Sequence, residues 1–172
     1  QREHGYLFLQ HTLAVNDVLI AAELLSRRYP NININGQLHE QALKRNPVYI
    51  NDGATTRAVI PDAWLDLRLD ETVQVCLALE VDRGTEDRKA WRRKVRGLLV
   101  WAEGPYQQRF ETTSLTITVI ATPGERRLSD LVRWTEDELG GVDGPAADLF
   151  RFAAGGAEEF DPAAFFLSPR WL

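Results

Sequence analysis

Several residue types are scarce or missing in this chain of 172 residues, and each absence removes a class of protein. The one cysteine, Cys76, cannot form an internal disulfide, which excludes a disulfide-stapled secreted scaffold. No uninterrupted apolar run approaches the roughly 18 residues that a membrane helix needs, so we expect no integral membrane protein. Methionine is absent and the chain begins at Gln1 without a charged and then apolar leader, so we expect a portion of a longer protein.

Common catalytic signatures are missing as well. Neither type of glycine-rich phosphate loop occurs, because Gly84 and Gly124 are isolated. The three histidines and Cys76 are scattered along the chain, so they do not have the spacing of a zinc site. No serine lies in a nucleophile-elbow sequence, although a dispersed Ser–His–Asp arrangement stays open. Carboxylates are therefore the groups left to carry chemistry.

The composition is that of one ordinary globular domain. Hydrophobic residues make up 44% and charged residues 26% of the chain, which excludes a disordered or low-complexity protein. The net charge of −5 argues against a polycationic nucleic-acid coat, but it leaves room for a local basic face. We expect a cytoplasmic protein with no membrane partner.

Hydrophobic periodicity predicts a mixed α/β fold, with a mixed central β-sheet flanked by helices. In the first helix, the apolar stripe that we expect to face the core consists of Leu13, Val18, Ile20, Ala21, Leu24 and Leu25. An Asn–Gly pair at 35–36 predicts a turn, and Asp70–Glu71 predicts a hairpin between two strands. The predicted helices cover 11–29, 86–103 and 125–139, and the predicted strands cover 37–44, 48–50, 58–69, 73–81, 115–121, 149–153 and 164–167.

Three carboxylates lie where two of these strands begin or end. Pro61 implies a bulge or a strand start next to Asp62, and Glu80 and Asp82 project from the same face of the following strand. Pairing the two strands as a hairpin brings Asp62 beside Glu80. Three converging carboxylates are costly without a cation, and Mg²⁺ (or Mn²⁺) is the natural one. The alternative is structural, with Asp62 in a turn and the other two acids solvated at the rim of the sheet.

A basic helix follows the second of these strands. Residues 88–96 read RKAWRRKVR in a chain that is acidic overall. Helical spacing places Lys94 at the border of the inward stripe, from which it can reach back toward the carboxylates. Cations that hold a phosphate backbone beside a metal site suit phosphodiester hydrolysis, although basic helices are usually solvated faces. The predicted DNA-binding residues are Arg83, Arg88, Lys89, Arg92, Arg93 and Arg96.

The similarity of this chain to a known family lies in three segments, Pro61–Asp62, EVDRGT at 80–85 and WRRKV at 91–95. Together they resemble the plasmid replication-relaxation family, of the PD-(D/E)xK restriction-endonuclease-like superfamily. The resemblance implies a restriction-endonuclease-like core of αβββαβ order within residues 11–172, with a further C-terminal helix and short strands. It also implies that residues 1–10 are the stub of a preceding winged-helix segment.

The resemblance assigns roles to single residues. By position, it makes Asp62 and Glu80 metal ligands. The superfamily places a lysine two residues after the second acid, where this chain has Asp82. The resemblance then implies that the lysine role has moved to Lys94, whereas an inactive site that serves only for binding is equally compatible with the change.

Two hypotheses follow for the function. In the first, the domain acts on DNA in the replication of a plasmid or mobile element, as a Mg²⁺- or Mn²⁺-dependent nuclease. Asp62, Glu80 and Asp82 hold the ion, and Lys94 is the electrostatic or water-positioning group. In the second, the domain keeps the fold but is a catalytically inactive DNA-binding or protein-docking module. Both hypotheses make DNA a partner, together with other replication or transfer proteins.

Overall fold

A computed structural model gives the fold and describes residues 2–53, 55–70, 72–141, 144–155 and 161–167. Six α-helices and seven strands lie in these ranges. The helices are α1 (Arg2–Arg28), α2 (Glu40–Arg45), α3 (Arg88–Ala102), α4 (Pro105–Phe110), α5 (Glu125–Leu139) and α6 (Pro162–Leu167). The strands are β1 (Ile32–His39), β2 (Val48–Asp52), β3 (Thr55–Val59), β4 (Ala63–Leu69), β5 (Val73–Asp82), β6 (Thr116–Ala121) and β7 (Phe150–Ala154).

Five of the strands form one mixed sheet in the order β1–β4–β5–β6–β7. The pairs β1–β4 and β4–β5 are antiparallel, whereas β5–β6 and β6–β7 are parallel. The strands β2 and β3 form a separate antiparallel hairpin. The predicted mixed sheet flanked by helices is thus confirmed, and the αβββαβ order of a restriction-endonuclease-like core stays a prediction.

Apolar side chains cover both faces of the sheet, as predicted for the nearly continuous apolar strand at 73–81. On one face, Trp64 and Cys76 belong to the core that contains α3 and α5. On the other face, Leu65 and Leu77 belong to the core that contains α1. The register pairs Ala63 with Leu79, so the start of β4 lies beside the end of β5. The residues that flank this end of the sheet form the candidate site.

The first strand differs from its prediction, because Asn35–Gly36 lies inside β1 and the predicted strand at 37–44 is replaced by the end of β1 and by α2. The pair forms an irregularity in the β1–β4 register instead of a turn. The Asn35 side-chain amide donates a 2.6 Å hydrogen bond to Asp66 on β4. A Cβ atom at Gly36 would lie 3.0 Å from the Trp64 ring, so the glycine allows the two strands to approach. These contacts come from β4, which no local pattern reveals.

Proline positions explain three further differences from the predicted elements. The predicted strand 58–69 is two strands, β3 and β4, separated by Ile60–Asp62, because Pro61 has no N–H for a ladder bond. Pro105 starts the short helix α4 directly after α3, since proline suits the first turn of a helix. The predicted strand at 164–167 is the helix α6, whose first turn begins with Pro162 and receives an Asp161 cap. Trp171 lies outside the described residues.

The helix α1 begins at Arg2 and continues without a break through residue 10, while the division of the chain at residue 10 stays a prediction. Its core-facing side contains half of the predicted stripe, because Val18, Ala21 and Leu25 are buried, whereas Leu13, Ile20 and Leu24 are half exposed. The predicted stripe combines residues of two faces of the helix, since α1 has apolar residues on more than one face. The buried side consists of Val15, Val18, Leu19, Ala21, Ala22 and Leu25.

One segment in the described part of the chain, Phe8–Arg28, is long and apolar enough to cross a membrane by length and composition alone. Its mean hydropathy is 1.2, and a third of it is buried inside the fold. The segment is interrupted by polar residues, so it satisfies this test by its mean hydropathy and not by an uninterrupted apolar run. A core helix of a water-exposed domain passes the same test, and the buried side of α1 packs on the sheet. The cytoplasmic location stays a prediction.

Candidate active site

Asp62 is anchored directly before β4 by its backbone and by both of its carboxylate oxygens. Its backbone N–H donates to the Leu79 carbonyl at 2.9 Å, which ties it to the end of β5. Its Oδ2 accepts a 2.7 Å hydrogen bond from the Val81 backbone N–H, and its Oδ1 lies 3.1 Å from His11 Nε2. The prediction of a strand start after Pro61 is confirmed, and this geometry fixes the Asp62 carboxylate beside Glu80.

Buried Glu80 and partly exposed Lys94 form an ion pair on the sheet face covered by α3. Only 3% of Glu80 is exposed, and its Oε2 accepts a 2.9 Å hydrogen bond from Lys94 Nζ. The same ammonium lies 2.6 Å from Oε1 of Glu86, in the loop before α3. The other Glu86 carboxylate oxygen, Oε2, is buried and has no hydrogen-bond partner among the described residues. The lysine therefore bridges two acids, one of which retains an unused acceptor.

Burial and charge act against each other in this pair. Burial raises the pKa of Glu80 to about 7, with smaller contributions from the Asp62 and Glu86 carboxylates, while Lys94 opposes the shift. Burial also lowers the pKa of Lys94, but the Glu80 and Glu86 carboxylates raise it by more, so the ammonium keeps its proton. A permanent cation thus faces a carboxyl group that titrates near neutral pH, an arrangement that is frequent in catalytic sites.

Asp82 belongs to a different contact set, although it shares a face of β5 with Glu80. Both of its oxygens accept hydrogen bonds from Arg127 on α5, at 2.6 and 2.9 Å, and Oδ1 also accepts the Gly84 N–H. Residues two apart on a strand are separated by about 6.6 Å. Glu80 can therefore contact α3 while Asp82 contacts α5. In the ranges that the structure describes, no three His, Cys, Asp or Glu residues are placed to hold a metal ion. The predicted convergence of three carboxylates is therefore not found.

Arg127 locks this end of β5 to α5. Besides its two bonds to Asp82, Nη2 donates to the Glu86 carbonyl at 2.6 Å, and the guanidinium lies 5.0 Å from the centre of the Trp134 ring. The hydrogen bonds to Asp82 raise the pKa of Arg127 above its ordinary value. Arg127 thus holds both Asp82 and the loop that carries Glu86.

His11 brings α1 into the site. Its hydrogen bond with Asp62 raises the pKa of the imidazole, and burial opposes part of that increase. Sequence reasoning treats a lone histidine near a helix start as a capping or packed residue, because its partner is 51 positions away in the chain. In the structure, the imidazole instead forms a hydrogen bond with one carboxylate oxygen of Asp62, a candidate metal ligand.

The six predicted DNA-binding residues fall into three groups. Arg88 pairs with Asp137, and Arg92 and Arg96 both pair with Glu138, so these three face the acidic side of α5. Arg83 hydrogen-bonds to the Gln10 side chain. Lys89 and Arg93 are exposed, and no ion pair to either is found within the described ranges. The structure thus distinguishes two accessible cations from three that are compensated, and the DNA-binding role stays a prediction.

A cleft of about 320 Å³ opens above the ion pair, between α3 and the β2–β3 hairpin. Its lining includes Arg57, Glu80, Glu86, Arg93 and Lys94. Arg57 reaches across from β3, where Nη2 donates to the Arg93 carbonyl at 2.7 Å and lies 2.9 Å from Asp52. Three cations and two carboxylates therefore surround one space.

The Arg57 guanidinium packs against Gly97 on α3, and replacing Gly97 by alanine tests that contact. A Cβ atom there would lie 2.5 Å from Arg57 Nη2, so the guanidinium must move. Alanine favours a helix by about 1 kcal/mol over glycine. We expect Gly97→Ala to stabilise the Arg57→Ala variant by about 1 kcal/mol, but to give less or no gain in the wild type. Urea unfolding of the four proteins measures this coupling, and an equal gain in both backgrounds would contradict the contact.

The sequence profile of a family described as Replication-relaxation matches residues 1–116, from α1 into β6. The chain belongs to the replication-relaxation family. No curated protein and no solved structure shows significant similarity to it. Membership in the replication-relaxation family confirms the family resemblance and indicates a role in replication or in mobile elements. The matched residues contain Asp62, Glu80, Asp82 and Lys94, whereas Arg127 lies beyond them. The PD-(D/E)xK placement stays a prediction.

Four residues of the site were not assigned by sequence reasoning. His11, Arg57, Glu86 and Arg127 reach it from a helix, a hairpin, a loop and another helix. Glu86 had one usable signal, since it directly precedes Asp87, which accepts the Ala90 N–H and caps α3. The other three had none, because each reaches the site only through tertiary packing.

Proposed function

We propose that this replication-relaxation domain is a metal-dependent nuclease-like domain that hydrolyses phosphodiester bonds in DNA. The observation that carries the proposal is the 2.9 Å contact between Lys94 Nζ and the buried Glu80 carboxylate, beside the anchored Asp62. Lysine and two acids at a strand end are the groups that the sequence resemblance implies. The role in plasmid or mobile-element replication, the cytoplasmic location and the replication or transfer proteins as partners belong to the same proposal.

The donor chemistry of Asp62 and Glu80 fits Mg²⁺ or Mn²⁺. Each carboxylate oxygen accepts more than one contact, so the hydrogen bonds from Val81 and Lys94 leave lone pairs available. Mg²⁺ commonly takes one or two carboxylates and completes its shell with water and phosphate oxygens. Such an ion activates water and stabilises the leaving oxygen of a phosphodiester. Asp82 does not join this set, because Arg127 occupies it.

The residues of the chain supply positioning and charge. The Val81 N–H orients Asp62, and the protonated Lys94 places a positive charge beside Glu80, where a phosphoryl group gains negative charge during hydrolysis. Arg93, exposed at the cleft, is placed to contact the phosphate backbone. Arg57 adds a second guanidinium on the opposite wall.

A second candidate function is favoured by the position of the Lys94 ammonium between Glu80 and Glu86. It already compensates both acids, in a chain that has Asp82 where the superfamily places its lysine. A site neutralised in this way needs no ion to be stable. The domain would then be an inactive DNA-binding or protein-docking module of the same fold.

Nicking of supercoiled plasmid DNA in Mg²⁺ or Mn²⁺ separates the two functions. We expect Glu80→Gln to lower the nicking rate about 100-fold or more, since it removes a ligand charge but keeps the side-chain shape. Glu103→Gln, at an exposed acid after α3, is the matched control and should retain the wild-type rate. Equal rates for wild type and Glu80→Gln would contradict the nuclease. No nicking by any protein would favour the inactive module.

A further inference from the structure

We infer that the solvent side of α1 is a docking surface for a second copy of this chain, whose own α1 packs on it in the antiparallel direction. The surface, called the outer stripe below, consists of Tyr6, Leu9, Leu13, Ile20 and Leu24. Such an interaction between chains is separate from the proposed nuclease activity.

The outer stripe is an exposed apolar face of a helix whose other side is already packed. Its five side chains are 50–60% exposed, and they make up most of the exposed large hydrophobic residues in the described part of the chain. At 3.6 residues per turn they lie on the side of α1 opposite to Val15, Val18 and Ala22, which pack on the sheet. Contiguous exposed apolar patches mark interaction sites in soluble proteins.

The spacing along the outer stripe favours a second copy as its partner. Residues 6, 9, 13 and 16 are separated by three, four and three positions, and residues 17, 20, 24 and 27 repeat the same intervals. The pattern is therefore symmetric about the midpoint between Asn16 and Asp17. Alternation of three and four positions is the spacing of helices that pack side by side. An antiparallel copy of α1, related by a two-fold axis at this midpoint, presents the same pattern in register.

In that register the apolar residues meet one another. The layers pair Leu13 with Ile20, Leu9 with Leu24 and Tyr6 with Arg27 of the second copy. Arg27 is exposed, so its guanidinium can lie over the face of the Tyr6 ring. The two polar residues at the midpoint form a single polar layer, and such a layer fixes the register of paired helices.

Two outer stripes provide enough area for a reversible dimer. Each of the half-exposed side chains presents on the order of 80–100 Å² to solvent. Together the two copies cover on the order of 900 Å² of apolar surface, and the polar flanks bring the contact to the roughly 1,000 Å² at which specific interfaces begin. We expect a dissociation constant in the micromolar range. The candidate cleft stays open in this dimer, because α1 and α3 cover opposite faces of the sheet.

The charges on α1 disfavour a membrane surface as the partner. Helices that lie on membranes carry Lys and Arg beside the apolar face. From Tyr6 to Leu24, α1 contains Asp17 and Glu23 but no lysine or arginine. An anionic lipid surface would repel both acids.

Sedimentation velocity of the 172-residue chain between about 1 and 200 µM tests the dimer. We expect the average mass to rise toward twice that of the chain. Leu13→Glu and Ile20→Glu should each raise the dissociation constant at least about 30-fold, since each copy would lose the hydration of a carboxylate. Val73→Glu, at a position 47% exposed at the start of β5, is the matched control and should dimerise as wild type. Circular dichroism checks that the variants are folded, and the uncharged Leu13→Gln replaces any variant that is not.

Crosslinking through introduced cysteines tests the direction of the helices. The native Cys76 is buried, so a short bismaleimide reagent reports on the new thiols. We expect it to join Leu9→Cys to Leu24→Cys in a mixture of the two variants, and to join neither variant to itself. Parallel helices would join each variant to itself, which would contradict the antiparallel register.

A chain that stays monomeric at 200 µM would overturn the inference, as would a dimer that Leu13→Glu and Ile20→Glu leave unchanged. Binding of a monomeric chain to vesicles of phosphatidylcholine and phosphatidylglycerol, lost in Leu13→Glu, would assign the outer stripe to a membrane surface and overturn it as well. None of these outcomes bears on the nicking assay, which depends on the opposite face of the sheet.

Discussion

Replacing Arg127 by alanine is expected to lower the free energy of unfolding by about 3–5 kcal/mol, because it leaves a buried charge without its partner. The Asp82 side chain is 2% exposed and receives two of its three hydrogen bonds from Arg127. The substitution also removes the bond to the Glu86 carbonyl and the contact with the Trp134 ring. The end of β5, the loop before α3 and α5 lose their common link.

Urea unfolding measures this loss, and the neighbouring Arg126 provides the control. Arg126 is exposed on the same turn of α5, so Arg126→Ala should change the unfolding free energy by less than about 0.5 kcal/mol. Asp82→Asn in the Arg127→Ala background removes the stranded charge and should recover part of the loss. Similar unfolding curves for Arg126→Ala and Arg127→Ala would show that the Asp82–Arg127 pair does not contribute to the free energy of unfolding.

Lys94→Ala is expected to cost about 2–3 kcal/mol at pH 8 and far less at pH 5, since it strands the buried Glu80. Glu80 titrates near pH 7 in the fold against an ordinary value of 4.5, so the folded state holds this proton more tightly and stability falls as the pH rises through that window. Removing the ammonium raises the pKa of Glu80 further. At pH 5 the acid is protonated in both proteins, and the difference between them becomes small.

The pH dependence of urea unfolding between pH 5 and 8 checks this prediction, with the exposed Lys89→Ala as control. His11 also loses stabilisation as the pH rises through its increased pKa, and removing the Lys94 ammonium, which lowers that pKa, shifts this loss to higher pH. If Asp62 and Glu80 hold a divalent cation, Mg²⁺ should raise the melting temperature of Lys94→Ala more than that of the wild type. A loss at pH 5 as large as at pH 8 would contradict a buried Glu80 charge.

The elements that were predicted well are those whose signals are local. The helix α5 has the predicted bounds, 125–139, because an amphipathic stripe ends at Gly140, a residue in the left-handed conformation. The strand β5 matches within one residue of its predicted end, because a continuous apolar run needs cover on both faces. The short segment at 164–167 was assigned to the wrong class, since four apolar residues fit a strand or a buried helix equally well.

The same distinction between local and long-range signals applies to the residues of the candidate site. From the sequence by itself we predicted that Asp62 can meet Glu80, because Pro61 marks a strand start and only three residues separate β4 from β5, and that Lys94 can reach back from the next helix. Only the tertiary structure decided that Asp82 forms its ion pair with Arg127 and that Glu86 and His11 join the site. It also decided that Arg93 is accessible, whereas the charge of Arg92 is compensated by an acid on α5. The physical reason is range. Strand alternation and helical spacing act over a few residues, whereas the contacts of Asp62 with His11, of Asp82 with Arg127 and of Arg92 with Glu138 join residues 45 or more positions apart.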